Sequence, residues 1–136
     1  MATQTAARRR ELDAQAYNAF VRECPTHKLL DRISDKWVSL ILVALADGSR
    51  RYSELARTMA GVSQKMLTQT LRGLERDGLV SRRVTPSVPV RVDYELTPLG
   101  VTLLPVMREI KGWAERYIEE VEAARHRYDV VGAVRG

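Results

Sequence analysis

The residues between positions 63 and 76 carry the most distinctive side-chain chemistry of this sequence. Gln69 and Arg72 bear amide and guanidinium groups, which can form paired hydrogen bonds with the edges of adenine or guanine. On a helix, three further polar residues share one face with them: Lys65, Thr68 and Arg76. This face has no acidic residue, and its side chains are suited to contacting nucleic-acid bases and phosphates.

A helix-turn-helix pattern would position this face. Ser63 is suited to cap the helix that carries it, and Gly78 is suited to end that helix. Its opposite side is apolar at the spacing i, i+4, i+7, through Leu67, Leu71 and Leu74. A shorter helix precedes it, with Ser53 as the predicted N-cap, and Gly61 lies in the turn between the two.

The positive charge of the chain is concentrated in the same region. Residues 50–91 hold nine Lys or Arg and three acids, a net charge of +6 that exceeds the +5 of the whole chain. A concentrated positive potential attracts phosphate groups and favours the release of counterions. We therefore predict that the binding partner is double-stranded DNA.

A hairpin follows the helix-turn-helix pattern. Residues 79–84 and 90–96 alternate apolar and polar side chains, which predicts two strands, and Pro86 and Pro89 stiffen the loop between them. Arg83 and Arg91 flank this loop and should reach phosphates or the minor groove. The complete set of predicted DNA-binding residues is Ser63, Gln64, Lys65, Thr68, Gln69, Arg72, Arg83 and Arg91.

These elements predict a mainly helical α+β fold, a winged helix-turn-helix that is dimeric through its terminal helices. We expect one domain over residues 1–136, made of four segments: an N-terminal helix at 8–23, the DNA-binding core and wing at 24–96, a dimerisation helix at 97–125 and a flexible tail at 126–136. The apolar run at 37–45 predicts a helix buried on nearly all sides at the centre of the domain.

The last predicted helix has a repeat that indicates a homodimer. Its apolar residues follow one another at spacings of 4, 3, 4, 3 and 4: Leu103, Met107, Ile110, Ala114, Tyr117 and Val121. This is a heptad seam, which an isolated helix cannot bury alone. The alternative is that the seam covers the core of its own domain.

Composition argues against several other classes. No apolar run reaches the roughly 18 residues of a membrane span, and the N-terminus has no apolar signal region, so we expect a cytoplasmic protein. The single cysteine excludes an intrachain disulfide. His27 and His126 lack the spacing of metal ligands. We expect no metal, no cofactor and no catalytic residue.

Cys24 is the one candidate for redox chemistry. Pro25 is suited to the first position of a helix, which makes Cys24 its N-cap, where the helix dipole favours a thiolate. Glu23 next to it opposes the thiolate. The alternative is a packing residue, because a lone cysteine often behaves as a small hydrophobe.

The stretch from Cys24 to Trp113 resembles the HxlR-type winged helix-turn-helix transcriptional regulators, relatives of the MarR group. The matching motifs are CP at 24–25, DKW at 35–37, YSELARTMAGVSQKMLTQTLRGLERDGLV at 52–80 and VPVRVDYELTPLG at 88–100, with a proline and a tryptophan at 105 and 113. The resemblance implies a homodimer with a wing on each subunit that controls nearby genes. It also implies sensing of electrophiles or oxidants, in several members through the cysteine that matches Cys24.

The function expected from the sequence is sequence-specific regulation of transcription, with an oxidant or electrophile acting through Cys24. One alternative is a non-specific architectural protein, which would share the basic charge but would not need base-contacting side chains such as Gln64, Thr68 and Gln69. Another is a regulator with a non-covalent small-molecule effector. A thiol-dependent enzyme would need a base close to Cys24, and none stands out in the sequence.

Overall fold

The computed structural model describes residues 5–135, which form six helices and one small antiparallel sheet. In chain order the elements are α1 (Ala6–Glu23), α2 (Pro25–Ile33), α3 (Lys36–Ala44), β1 (Arg50–Arg51), α4 (Tyr52–Thr58), α5 (Gln64–Arg76), β2 (Val80–Thr85), β3 (Arg91–Leu96) and α6 (Pro98–Arg135). The contacts divide the chain into two compact units, which meet in sequence between Leu40 and Ile41. The single domain over 1–136 stays a prediction, and its residues 1–4 and 136 lie outside the described part.

Two helices that contact each other, α1 and α2, make up most of the first unit. The Thr5 hydroxyl caps α1 by accepting a hydrogen bond of 3.2 Å from the backbone N–H of Arg8, so the helix begins two residues before the predicted start. Cys24 has extended backbone angles and is the N-cap of α2, and Pro25 takes the first helical position, as predicted. No residue of α1 is buried.

Helix α3 begins at a cap and buries only one side. The Asp35 carboxylate accepts a hydrogen bond of 2.8 Å from the backbone N–H of Trp37. The buried side chains are Val38, Ile41 and Leu42, followed by Leu45 just after the helix ends. Leu40 and Val43 are 47% and 58% exposed, so the expectation of a helix buried on nearly all sides is wrong. The buried residues keep the helical spacing of a single stripe, and the remaining apolar residues of the run lie outside it.

The second unit contains the helix-turn-helix pair α4 and α5 and most of the apolar core. The buried apolar side chains of this unit that follow Leu45 are Leu55, Met59, Leu67, Leu71, Leu74, Val80, Tyr94, Leu96, Leu103, Leu104 and Met107. The prediction that Ser53 caps the first helix is wrong, because α4 begins at Tyr52 with Arg51 as its N-cap. Arg51 belongs to β1, and its pairing with β3 fixes the backbone up to the helix start.

The sheet has three strands in the order β1-β3-β2, all antiparallel. Val80, Tyr94 and Leu96 are buried on its core side. Asp93 pairs with Arg83 on β2 and with Arg51 on β1, so these three residues share the other side. The two strands predicted at 79–84 and 90–96 are present at Val80–Thr85 and Arg91–Leu96. The strand β1 was not foreseen, because two residues are too short to show an alternation.

A junction around Thr97 connects the helix-turn-helix, the sheet and α6. The Thr97 hydroxyl donates a hydrogen bond of 2.6 Å to the Gly78 carbonyl and accepts one of 3.1 Å from the Gly100 N–H. The Thr97 N–H donates to the Leu79 carbonyl at 3.1 Å. Gly100 is buried so close to that carbonyl that a Cβ atom at position 100 would overlap it.

Helix α6 is longer than the sequence suggested. It runs to Arg135, so residues 126–135 of the predicted tail are helical and the expectation of a flexible tail is wrong for them, while residue 136 lies outside the described part. After Pro105 no proline interrupts the chain, which therefore has no strong helix breaker at 125. Its 38 residues correspond to about 57 Å.

Within residues 5–135, no helix has the length and apolar character needed to cross a membrane.

The predicted seam of α6 divides into two parts. Leu103 and Met107 are buried in the second unit, so the expectation that they lie in a subunit interface is wrong and the alternative, cover for their own core, holds for them. Ile110, Tyr117 and Val121 are 50%, 40% and 38% exposed. The part of the seam that is free to contact a partner therefore starts at Ile110.

The close approach at Gly100 predicts a stability effect. In Gly100→Ala the added methyl group would force α6 away from the Leu79 carbonyl, and we expect a loss of about 1–3 kcal/mol in the free energy of unfolding, measured with urea. Gly112→Ala on the same helix is the control. A methyl group at position 112 would lie at van der Waals distance, 3.9 Å, from the Arg116 guanidinium, so Gly112→Ala should gain about 0.5–1 kcal/mol from helix propensity. Equal changes in the free energy of unfolding for Gly100→Ala and Gly112→Ala would contradict the close contact between Gly100 and the Leu79 carbonyl.

Candidate nucleic-acid interface

Helix α5 is held by a cap at its start and an apolar face along its length. The Ser63 hydroxyl accepts a hydrogen bond of 3.0 Å from the Met66 N–H, as the sequence predicted. The buried residues of the helix are Leu67, Thr70, Leu71 and Leu74. The Thr70 hydroxyl donates to the Met66 carbonyl at 2.9 Å, which satisfies the one polar side chain on the buried face. The opposite face is thereby fixed toward solvent.

Five of the predicted DNA-binding residues lie together on that solvent face. They line one shallow, open depression of the surface: Gln64, Lys65, Thr68, Gln69 and Arg72. Thr68 is half-buried and the other four are exposed. Ser63 precedes them, but its hydroxyl already accepts the cap hydrogen bond. The depression combines amide, hydroxyl and cationic groups on one helix. Such groups can donate hydrogen bonds to base edges and phosphates.

Tyr52 connects the two helices of the motif, and the sequence analysis missed this role. Its hydroxyl lies 3.1 Å from the Thr68 hydroxyl and can donate to the Gln64 carbonyl at 3.3 Å. The first residue of α4 therefore sets the spacing of α4 against the exposed face of α5. The sequence gives no signal of this contact, because the partners are 12 and 16 residues away.

The wing arginines lie on the solvent side of the sheet around an unforeseen carboxylate. The Arg91 Nε donates to both oxygens of Asp93, at 2.9 and 3.2 Å, and the side chain of Asp93 is only 14% exposed. This hydrogen bond raises the pKa of Arg91 above its usual value. Arg83 lies opposite Asp93 in the β2–β3 register. The structure therefore brings Arg83 and Arg91 together, at a depression different from the one on α5.

The loop between β2 and β3 is internally braced and projects into solvent. The Ser87 N–H donates to the Thr85 carbonyl, and the Ser87 hydroxyl donates to the Pro89 carbonyl, each at 2.8 Å. Val88 at the tip is fully exposed. An open cleft lies between this loop and the start of α4, and Arg51 and Arg91 are among its lining residues. These two hydrogen bonds hold the loop, and its stiffness stays a prediction from its two prolines.

The thiol of Cys24 lies half-buried between α1 and α2. The backbone N–H groups of His27 and then Thr26 lower its pKa from the usual value, against a smaller opposing effect of burial. Two neighbouring side chains have acidic partners: the Lys28 ammonium lies 3.4 Å from the Glu23 carboxylate, and the His27 Nε2 lies 3.6 Å from the Asp31 carboxylate.

The described residues offer no metal site. Between positions 5 and 135, no three His, Cys, Asp or Glu side chains are grouped so that they could hold an ion.

The sequence and the fold of this chain are similar to those of known proteins. The HxlR-like helix-turn-helix family matches residues 32–122. The chain is 43% identical over 108 residues to the uncharacterized HTH-type transcriptional regulator YtfH of Escherichia coli (strain K12), covering 79% of this chain and 86% of YtfH.

Two solved structures are also similar. The reduced form of the redox regulator HypR has a TM-score of 0.70 and 38% identity, over 74% of this chain and 99% of HypR. Diamide-treated YodB from B. subtilis has a TM-score of 0.60 and 37% identity, over 69% of this chain and 94% of that one.

The fold is a winged helix-turn-helix, mostly helical with a small three-stranded antiparallel sheet, as predicted. The chain belongs to the HxlR-like helix-turn-helix family. It is a DNA-binding transcriptional regulator of this type, and its relatives are regulators rather than enzymes.

The environment of Cys24 predicts how fast its thiol reacts as pH changes. Because the thiolate is the nucleophile, the pH profile of alkylation by iodoacetamide reports the pKa of the thiol. The backbone N–H groups of His27 and Thr26 lower that pKa in the folded chain and lose their fixed positions on unfolding. The midpoint of the profile should therefore lie at lower pH in the native protein than in urea. A native midpoint equal to or above the unfolded one would contradict the assigned environment.

Proposed function

We propose that the protein is a sequence-specific regulator that binds a two-fold symmetric operator as a homodimer in the cytoplasm. The observation that carries this proposal is the exposed polar face of α5, backed by a fully buried apolar face. A helix held this firmly can enter the major groove without losing much conformational freedom. The depression it presents, with amide and guanidinium groups, fits base edges there.

The side chains of α5 divide by chemistry. Gln69 and Arg72 are exposed and bear the groups that bind adenine and guanine through two hydrogen bonds. Lys65 supplies a point charge suited to phosphate. Thr68 is held by its contact with Tyr52, so its contribution is a fixed hydroxyl and methyl group rather than a mobile side chain.

The wing supplies the second contact. Arg83 and Arg91 lie on the solvent side of the sheet, opposite the side that carries the buried Tyr94, and the loop beside them projects outward. Asp93 holds the Arg91 guanidinium in one orientation and also neutralises part of its charge. Arg83 is therefore the stronger phosphate ligand of the two, and Arg91 the better ordered.

The proposed dimer rests on the exposed part of the α6 seam. Ile110, Tyr117 and Val121 lie on a helix that extends beyond the core of its own unit, and within residues 5–135 all three stay 38–50% exposed. A second copy would cover them, as apolar heptad residues require. Two copies would place two α5 helices on one DNA duplex, and a separation of about 34 Å matches successive major grooves.

The proposed effector is an oxidant or electrophile that modifies Cys24. Its lowered pKa favours the reactive thiolate, and it is half-buried rather than enclosed. The similar structures include one named as a redox regulator and one treated with diamide. Two Cys24 thiols could lose two electrons and two protons to an oxidant and form a disulfide between subunits, or the thiolate could add to a ring carbon of a quinone, which takes up a proton from water and becomes the hydroquinone adduct.

The proposed sequence readout is tested by Arg72→Ala. Losing a paired contact to guanine should cost about 1–3 kcal/mol in operator binding and relax the preference at one base pair, as footprinting and titration would measure. Arg116→Ala, which removes the same charge from the exposed side of α6, should leave affinity and preference unchanged. An Arg72→Ala protein with native affinity and native preference would exclude Arg72 from the reading face.

The proposed thiol switch is tested by operator binding of the native protein and Cys24→Ser, each with and without diamide. The switch predicts that diamide changes the affinity of the native protein and leaves that of Cys24→Ser unchanged. The physical reason is that modification occurs where α1 joins α2 and alters how these helices are held. The same response in both proteins, or in neither, would leave Cys24 as a packing residue.

A further inference from the structure

The hydroxyl group of Tyr52 lies beside the depression on α5, between two groups with different hydrogen-bonding capacity. It is 3.3 Å from the Gln64 carbonyl and 3.1 Å from the Thr68 hydroxyl. Thr68 lines the depression and is half-buried, so part of its side chain still faces solvent. Besides holding Thr68 in place, these contacts determine through their protons which further hydrogen bonds Thr68 can form.

The protons of this cluster can be assigned from the chemistry of its groups. Each hydroxyl carries one proton, and a carbonyl oxygen can only accept. The contact with Gln64 is therefore a hydrogen bond only when the Tyr52 proton points to that carbonyl. The Tyr52 oxygen then accepts from Thr68, in a pair where either oxygen could donate. This is the assignment that makes both contacts hydrogen bonds, and it makes Thr68 the donor to Tyr52.

Two other threonines of the helix-turn-helix show the bond that a helical threonine ordinarily forms. The hydroxyls of Thr58 and Thr70 each donate to the carbonyl four residues earlier, at 2.9 Å. Four residues before Thr68 is Gln64, whose carbonyl receives the Tyr52 hydroxyl. Tyr52 therefore occupies the usual acceptor of Thr68 and supplies its own oxygen as the acceptor in its place.

The position of Tyr52 is fixed by the elements on either side of it. Arg51, the preceding residue, belongs to β1 and pairs with Asp93 of β3. Leu55, nearly one turn further along α4, is buried in the core. The Tyr52 side chain, itself half-buried, is thereby held against α5. Its hydroxyl is consequently a fixed partner for Thr68 rather than one of several alternatives.

We propose that Tyr52 is a positioning residue that makes Thr68 a hydrogen-bond acceptor toward DNA. Because its proton is directed to Tyr52, the Thr68 oxygen has only lone pairs left for a third group. In the major groove, adenine and cytosine present amino groups that donate to such an oxygen, whereas guanine and thymine present only acceptors. Thr68 therefore selects adenine or cytosine at the base it contacts. The inference rests on the proposed sequence-specific binding by α5 and adds the polarity of one contact.

Removal of single hydroxyl groups tests this assignment. The probes are duplexes selected from a random library by the native protein, with each of the four bases placed in turn at every position. Thr68→Val should abolish a preference for adenine or cytosine at one position, an effect of about two- to tenfold, as expected for one hydrogen bond. Tyr52→Phe frees the Thr68 proton and should reduce the same preference at the same position. Since both act through one contact, the double variant should behave as Thr68→Val alone.

A matched control and a base analogue separate base preference from stability. Thr58→Val removes a hydroxyl from α4 and should keep every native base preference. Circular dichroism checks that each variant is folded. For the native protein, the selected base is replaced by its analogue without the amino group, purine for adenine or pyrimidin-2-one for cytosine. This should weaken native binding by about two- to tenfold and leave binding by Thr68→Val unchanged.

The outcomes distinguish this inference from the proposed function. A native protein without base preference at any position would overturn both. A native motif that Thr68→Val leaves unchanged would overturn the inference alone, and so would guanine or thymine at the position that Thr68→Val affects. If Tyr52→Phe lowered the affinity for all sequences alike, or changed nothing, Tyr52 would only space the two helices, and its positioning role would be overturned.

Discussion

The hydrogen bonds of Thr97 are the constraint on which the functional elements depend. Its hydroxyl binds the Gly78 carbonyl just after α5, and its N–H binds the Leu79 carbonyl just before β2. The same hydroxyl caps α6 through Gly100. One residue therefore fixes the end of α5, the base of the wing and the start of α6. The absence of a Cβ at Gly100 is what allows this junction to close.

The parts of the structure that follow a regular sequence pattern could be predicted from the sequence. Ser63 as a cap, the leucine face of α5 and the polar face opposite it all follow from helical spacing and cap chemistry, and the structure has them. Contacts between distant residues could not be predicted, because they have no periodicity: Tyr52 with Thr68 is one, and the pairing of β1 with β3 is another. The pairing of β1 with β3 explains why the N-cap of α4 is Arg51 rather than the predicted Ser53.

Burial was the other property that the sequence predicted poorly. An apolar run indicates a helix but does not say how much of its circumference is covered, and Leu40 and Val43 of α3 are exposed. The apolar repeat of α6 is ambiguous in another way. Its first part, at Leu103, is buried in the core of its own unit, whereas the part from Ile110 onward is exposed to solvent. A heptad repeat alone cannot distinguish these two uses, because both need the same spacing.

Sequence-specific recognition by a pair of α5 helices is the central claim, and selection of binding sites from a random duplex library by the native protein tests it most directly. The account predicts enrichment of an inverted repeat whose half-sites lie about one helical turn apart, since two copies related by a two-fold axis each read one major groove. The enriched duplex should also outcompete bulk DNA by at least about a thousandfold. A library that retains affinity for the protein but yields no motif would contradict the account and indicate binding through phosphate charge alone.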